Sequence, residues 1–209
     1  MNSLAQALGR IVAANSTSIH DEDVIRYGLE VFLGGFLQVL LLIAIGWYLE
    51  LLPELLAVLI SFSLFRRLGG GAHCSSYLRC TLAGLITFPV LAYISHVVSY
   101  GYFEVYLIII TSFSLITIYI KAPLDTETKP IKDPQDRSRL KIGAAWLVAI
   151  LLIISEFIHL LGHDLIAIAL LIGICYQTLT MTRLGAIYMR FWDIILSNWW
   201  VNNLGKEES

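Results

Sequence analysis

All fourteen Lys and Arg residues of this 209-residue chain fall in four segments, with long apolar runs between them. The segments hold Arg10 and Arg26; Arg66, Arg67 and Arg79; Lys121 to Lys141; and Arg183, Arg190 and Lys206. Six apolar runs lie roughly at 29–49, 51–65, 81–100, 102–120, 142–161 and 165–182. A straight helical crossing of a bilayer takes about 20 such residues. The connections near 50–54, 101–104 and 161–164 carry no Lys or Arg. Six crossings therefore put every basic segment on one side. The positive-inside rule makes that side the cytoplasm, with both termini and residues 66–80 there.

Composition agrees with a membrane scaffold. Hydrophobic residues make up 57% of the chain and charged residues 14%; a soluble domain is nearer half apolar and a quarter charged. The expected fold is an all-α integral membrane protein, one domain over 1–209, built as a bundle of about six transmembrane helices in a lipid bilayer. A net charge of −2 says little about partners, and no nucleic acid is expected. No cleavable signal peptide is evident, since Asp21-Glu22-Asp23 precedes the first long run. Three cysteines are an odd count and argue against a disulfide framework.

Three polar regions punctuate the bundle. Residues 1–28 read as an interfacial region, in which Leu4, Leu8, Ile11 and Val12 recur at helical spacing; a helix packed on the bundle itself fits equally. Ser18 reads as an N-cap, with acidic residues in the turn after it. Residues 122–140 carry Pro123, Pro130 and Pro134 and read as a polar cytoplasmic loop. Trp192, Trp199 and Trp200 in the tail fit interfacial anchors.

The third region, 66–80, interrupts the apolar runs with glycines and chemistry: Arg66-Arg67-Leu68-Gly69-Gly70-Gly71-Ala72-His73-Cys74-Ser75-Ser76-Tyr77-Leu78-Arg79-Cys80. A cysteine attacks as its thiolate, which nearby cations favour. A histidine can take the thiol proton and later protonate a leaving amine. On one straight helix His73 and Cys80 would lie about 10 Å apart along the axis. Pairing them requires the chain to turn back, and the three glycines permit such a turn. The same glycines leave backbone N–H groups that could line an oxyanion site.

Plainer readings stand beside this one. Such glycines can be only a loop, the arginines only topology signals, and a cysteine only packing. Cys74 is a rival nucleophile, although it adjoins His73; Ser75 and Ser76 are less reactive rivals. His73, Cys74 and Cys80 lack an evident fourth ligand for zinc. Glu156, His159, His163 and Asp164 offer another grouping that could hold a metal, or simply tolerated interfacial residues. His96 and Gln177 read as interhelical hydrogen-bonding residues outside the motif.

The run Arg66…Gly70-Gly71-Ala72-His73…Cys80, followed after two apolar runs by Pro123-Leu124-Asp125-Thr126-Glu127-Thr128-Lys129-Pro130, resembles the accessory gene regulator B family. Motif order, chain length and the six-span layout match as well. The resemblance implies a membrane cysteine endopeptidase of Gram-positive bacteria, located in the cell membrane. Its substrate would be a small amphipathic propeptide, trimmed at its C-terminal part and cyclised into a thiolactone or lactone quorum-sensing signal. Carried over residue by residue, the catalytic pair is His73 and Cys80, supported by Arg66, Gly70, Gly71 and Lys129; no metal and no cofactor are implied. Lys129 and Lys132 could attract an acidic propeptide tail, or merely solvate their loop. Glu54 and Asp125 are polar candidates for orienting His73, but the topology puts Glu54 on the far side. A homodimer fits the resemblance, and Gly34 and Gly35 permit close helix contact. A six-span peptide or lipid transporter without proteolytic chemistry is the alternative.

Overall fold

A computed structural model describes residues 19–124 and 133–203, with side chains over 32–124 and 133–197. Seven α-helices occupy the described residues: α1 (Ile19–Tyr48), α2 (Leu52–Gly69), α3 (Tyr77–Val97), α4 (Phe103–Lys121), α5 (Pro134–Leu160), α6 (Asp164–Thr180) and α7 (Arg183–Asn203). Each of the six apolar runs falls within or mainly within one of α1–α6. The expected helix within 1–17, the Ser18 cap and Lys129 lie outside the described residues.

α6 is the axis of the bundle. Its buried residues include Ala167, Ile168, Ala169, Leu170, Leu171 and Ile174, distributed around the helix rather than along one stripe, as expected of a fully enclosed helix. One face joins a core of Phe65 from α2, Phe103 and Ile118 around α4, and Ala144, Val148 and Leu151 from α5. The other joins Leu42, Leu55, Val58, Phe88 and Ala92 from α1–α3. The outward faces remain apolar, with Phe36, Ile86, Ile109, Trp146 and Ile153 among the exposed side chains. Water would penalise such a surface; lipid does not.

Helix by helix, fewer than six segments among the described residues meet the length and apolarity of a crossing. Three segments among the described residues are long and apolar enough to cross a membrane: Tyr77–Val97, Tyr100–Lys121 and Pro134–Leu160. α6 and α7 satisfy the same condition only together, and they bend by 86° at their junction. The apolar part of α1 is the shorter segment Phe32–Tyr48. Charge and length explain the shortfall. α2 carries Glu54, Arg66 and Arg67, and the 17 residues of α6 extend about 25 Å against a hydrocarbon core of about 30 Å.

One boundary also differs from expectation. The loop expected over 122–140 ends at Asp133, because Asp133 caps α5 by accepting from the Gln135 N–H at 2.8 Å. Pro134, which would break a helix interior, occupies the first helical turn, where its missing N–H costs nothing. The close contact expected of Gly34 is made within the chain: a side chain there would collide with the Tyr77 ring of α3.

Candidate active site

The stretch 66–80 divides into the last turn of α2, a loop over 70–76 and the first turn of α3. Gly70 has φ +70° and Gly71 φ +149°, conformations that residues with a Cβ rarely adopt. Space enforces the same choice. A Cβ on Gly70 would strike the Leu124 carbonyl oxygen, and one on Gly71 would lie 2.6 Å from Thr180 Oγ1 and 2.8 Å from Arg66 Nη1.

Arg66 closes the loop it launches. Its guanidinium donates to the carbonyls of Ala72 at 2.7 Å and Gly71 at 3.4 Å, and to Gln177 Oε1 and Thr180 Oγ1 on α6 at 3.4 and 3.3 Å. It also lies over the Phe62 ring, 5.5 Å from its centroid. Gln177 Nε2 donates to the Gly70 carbonyl at 2.5 Å. The Ala72 N–H donates to the Thr180 carbonyl at 2.9 Å, and the Gly70 N–H to the Arg66 carbonyl at 3.0 Å. These two N–H groups are therefore committed to backbone partners and do not line an oxyanion site. The Leu124 N–H donates to the Gly69 carbonyl at 3.0 Å, so the chain leaving α4 is tied to the glycine loop just before the segment that contains Lys129.

Cys80 stands in the first turn of α3 and lines a cleft of about 270 Å³ with Gln38, Phe62, Arg66, Tyr77, Tyr176 and Met189. The thiol and the backbone of Cys74 are the neighbours of its sulfur. The interaction with Cys80, followed by burial, holds the Cys74 thiol well above the ordinary thiol range, so Cys74 stays protonated. The Cys74 sulfur also lies 3.9 Å from the Met189 carbonyl oxygen and Sδ.

His73 is exposed on the same loop. Partial burial and then the neighbouring Arg66 charge lower its pKa from the ordinary 6.5. Among the described residues no hydrogen bond joins His73 to Cys80; the loop brings Cys74 to the sulfur instead. Glu54 is buried near the start of α2 and lies 3.6 Å from His96 of α3. Twelve residues of helix, about 18 Å, separate it from Arg66. His159 Nδ1 pairs with Asp164 Oδ1 at 2.6 Å and stacks on Phe103. Among the described residues no three His, Cys, Asp or Glu side chains gather to hold a metal ion.

Several contributors were not expected. Gln177, read as a residue outside the motif, is hydrogen-bonded to the glycine loop and to Arg66. Thr180, three residues on, serves the same loop. Their spacing on an otherwise apolar helix is the available sequence signal, since polar groups in such helices seek partners. Asp193 of α7 accepts from the Ser75 N–H at 2.9–3.0 Å and from Ser75 Oγ at 2.9 Å.

Comparison with known proteins identifies relatives over most of the chain. The sequence model of the family described as accessory gene regulator B matches residues 1–181. An AgrB-like protein of Clostridium perfringens (strain SM101 / Type A) is 27% identical over 184 residues, covering 82% of this chain and 86% of that protein. The accessory gene regulator protein B of Staphylococcus carnosus is 26% identical over 148 residues, covering 71% and 76%. That of Staphylococcus aureus (strain JH9) is 25% identical over 157 residues, covering 75% and 80%. No solved structure matches the chain. With the family's sequence pattern spanning both the glycine loop and the segment that follows α4, this helical membrane protein belongs to the accessory gene regulator B family.

Proposed function

We propose that this protein is a membrane cysteine endopeptidase that processes a small amphipathic quorum-sensing propeptide, with Cys80 as nucleophile and His73 as acid–base. The observation that carries the reading is the setting of Cys80. Its sulfur lies in a cleft shared with Arg66 and beside Cys74. Such surroundings suit a reacting thiolate more than a packing cysteine. Family membership adds the substrate class.

The Cys80 sulfur attacks the carbonyl carbon at the cleavage site. The C–N bond breaks, and the C-terminal fragment leaves as an amine with a proton delivered by His73. The N-terminal part remains on Cys80 as a thioester. A thiol or hydroxyl within the propeptide then attacks that carbonyl, closes the thiolactone or lactone ring and returns the Cys80 thiol. Holding both ends in one cleft supplies the effective concentration for closure. When the propeptide is bound, His73 reaches the reacting atoms by rotation of its exposed side chain or through a water molecule. Arg66, Gly70 and Gly71 shape the loop, and Lys129 follows in sequence the Leu124 that is bonded to Gly69.

The proposed topology has six crossings with both termini and the 66–80 stretch in the cytoplasm. Incubating the lipid-embedded protein with its neighbouring propeptide tests the chemistry. Cleavage and a mass-shifted Cys80 adduct are expected, both lost in Cys80→Ala. An undiminished Cys80→Ala enzyme would refute the assignment and return the six-span transporter to the front.

A further inference from the structure

Asp193 lies on the helix that follows the segment matched by the family's sequence model, which ends at residue 181. We infer that Asp193 is a positioning residue for the proposed reaction: from α7 it holds the loop bearing His73 and Cys74 against the first turn of α3, where Cys80 stands. The inference rests on the reading of Cys80 as nucleophile.

Both carboxylate oxygens take part. Oδ1 and Oδ2 accept from the Ser75 N–H at 3.0 and 2.9 Å, and Oδ1 also accepts from Ser75 Oγ at 2.9 Å. Arg79, adjacent to Cys80, donates to Ser75 Oγ at 3.0 Å and lies 3.6 Å from Oδ1. Asp193, Ser75 and Arg79 thus form a closed triangle linking α7, the loop and α3. The carboxylate side chain is 21% exposed and Ser75 is exposed, so the link is held by several bonds at once and not by exclusion of water.

One turn back on α7, Met189 is buried and touches the Cys74 sulfur through its carbonyl oxygen and Sδ. Residues four apart share a helix face, so Met189 and Asp193 address consecutive loop residues, Cys74 and Ser75. Cys74 in turn neighbours the Cys80 sulfur. The chain of contact from α7 to the nucleophile is therefore continuous: Asp193 fixes Ser75, Met189 flanks Cys74, and Cys74 meets Cys80. Asp193 does not touch the reacting atoms. Its role is geometric, and geometric errors near 1 Å can cost a hundredfold in rate.

The test uses the full chain in lipid with its propeptide, comparing wild type, Asp193→Ala, Asp193→Asn and Cys80→Ala. Asp193→Ala is expected to lower kcat at least tenfold while KM stays within twofold. Asp193→Asn keeps one oxygen for the Ser75 N–H and should recover to within about threefold of wild type. A structural role alone would also lower apparent kcat at unchanged KM by lowering the folded fraction, so kcat is taken per active molecule by titrating the reactive Cys80; on that basis a purely structural role leaves kcat at the wild-type value. Inert Cys80→Ala together with wild-type kcat in Asp193→Ala overturns the inference and leaves the nucleophile assignment standing. Active Cys80→Ala overturns the underlying reading instead. Should Asp193→Ala fail to fold, Asp193→Asn decides against Asp193→Glu, whose longer arm displaces Ser75: equal kcat in those two variants and wild type overturns the inference.

Discussion

Arg66 donates to the Ala72 carbonyl at 2.7 Å, so the final turn of α2 grips the loop that emerges from it. The same guanidinium reaches Gln177 and Thr180 on α6. A cation near the membrane end of a helix is usually read as a topology signal. Here its donors are directed inward, to the backbone carbonyls of the loop. Position 66 thus links the central helix of the bundle to the turn that places His73 and Cys74.

Gly71→Ala should disable the loop more than the bundle. The new methyl meets a φ of +149° and the Thr180 and Arg66 side chains at 2.6 and 2.8 Å. Backbone strain of this kind costs about 1–3 kcal/mol, and displacing Arg66 releases the Ala72 carbonyl as well. Helical content by circular dichroism should be retained, thermal unfolding should begin several degrees earlier, and propeptide cleavage should fall at least tenfold. Wild-type cleavage by Gly71→Ala would show that the clamp is dispensable.

Much of this arrangement is readable before any coordinates, and the unread part has a common cause. The apolar runs announce helices because hydrophobicity over about 20 residues is a collective signal. Gly70, Gly71, His73 and Cys80 stand out because they interrupt those runs. Gln177, Thr180, Met189 and Asp193 act through tertiary contact across a hundred residues or more of sequence, which no local pattern encodes. The boundary at Asp133 was obscured differently. Pro134 signals a break inside a helix but a start at its first turn, and composition alone does not separate the two. Pairing logic also pointed from Cys80 to His73, whereas the loop path places Cys74 at the sulfur.

The pH dependence of cleavage should carry the mark of His73. Its neutral ring is the form that accepts the thiol proton. Burial and Arg66 lower its pKa, so the ring stays neutral to a lower pH than an ordinary histidine, whose value is 6.5. Activity therefore persists as pH falls past that value and is lost only as pH drops through the lowered pKa. Profiles of kcat/KM between roughly pH 4.5 and 8 on lipid-embedded protein would read this limb. An acid limb above 6.5, or one unchanged in a residually active His73→Gln, would assign the titration to another group.

Cys74 should matter as a donor and not as a nucleophile. Its thiol and its backbone both stand beside the Cys80 sulfur, and replacement by alanine removes only the thiol. A hydrogen bond to a charged group contributes about 1.5–3 kcal/mol, and about 1.4 kcal/mol corresponds to tenfold in rate. Cys74→Ala is therefore expected to slow cleavage roughly tenfold while the acyl adduct still forms on Cys80, far milder than loss of Cys80 itself. Cys74→Ser retains a hydroxyl donor and should recover part of the loss. Intact-mass analysis of the trapped adduct alongside the rates separates the roles. An adduct on Cys74 in the wild type, with Cys74→Ala as inert as Cys80→Ala, would reverse the roles of the two thiols.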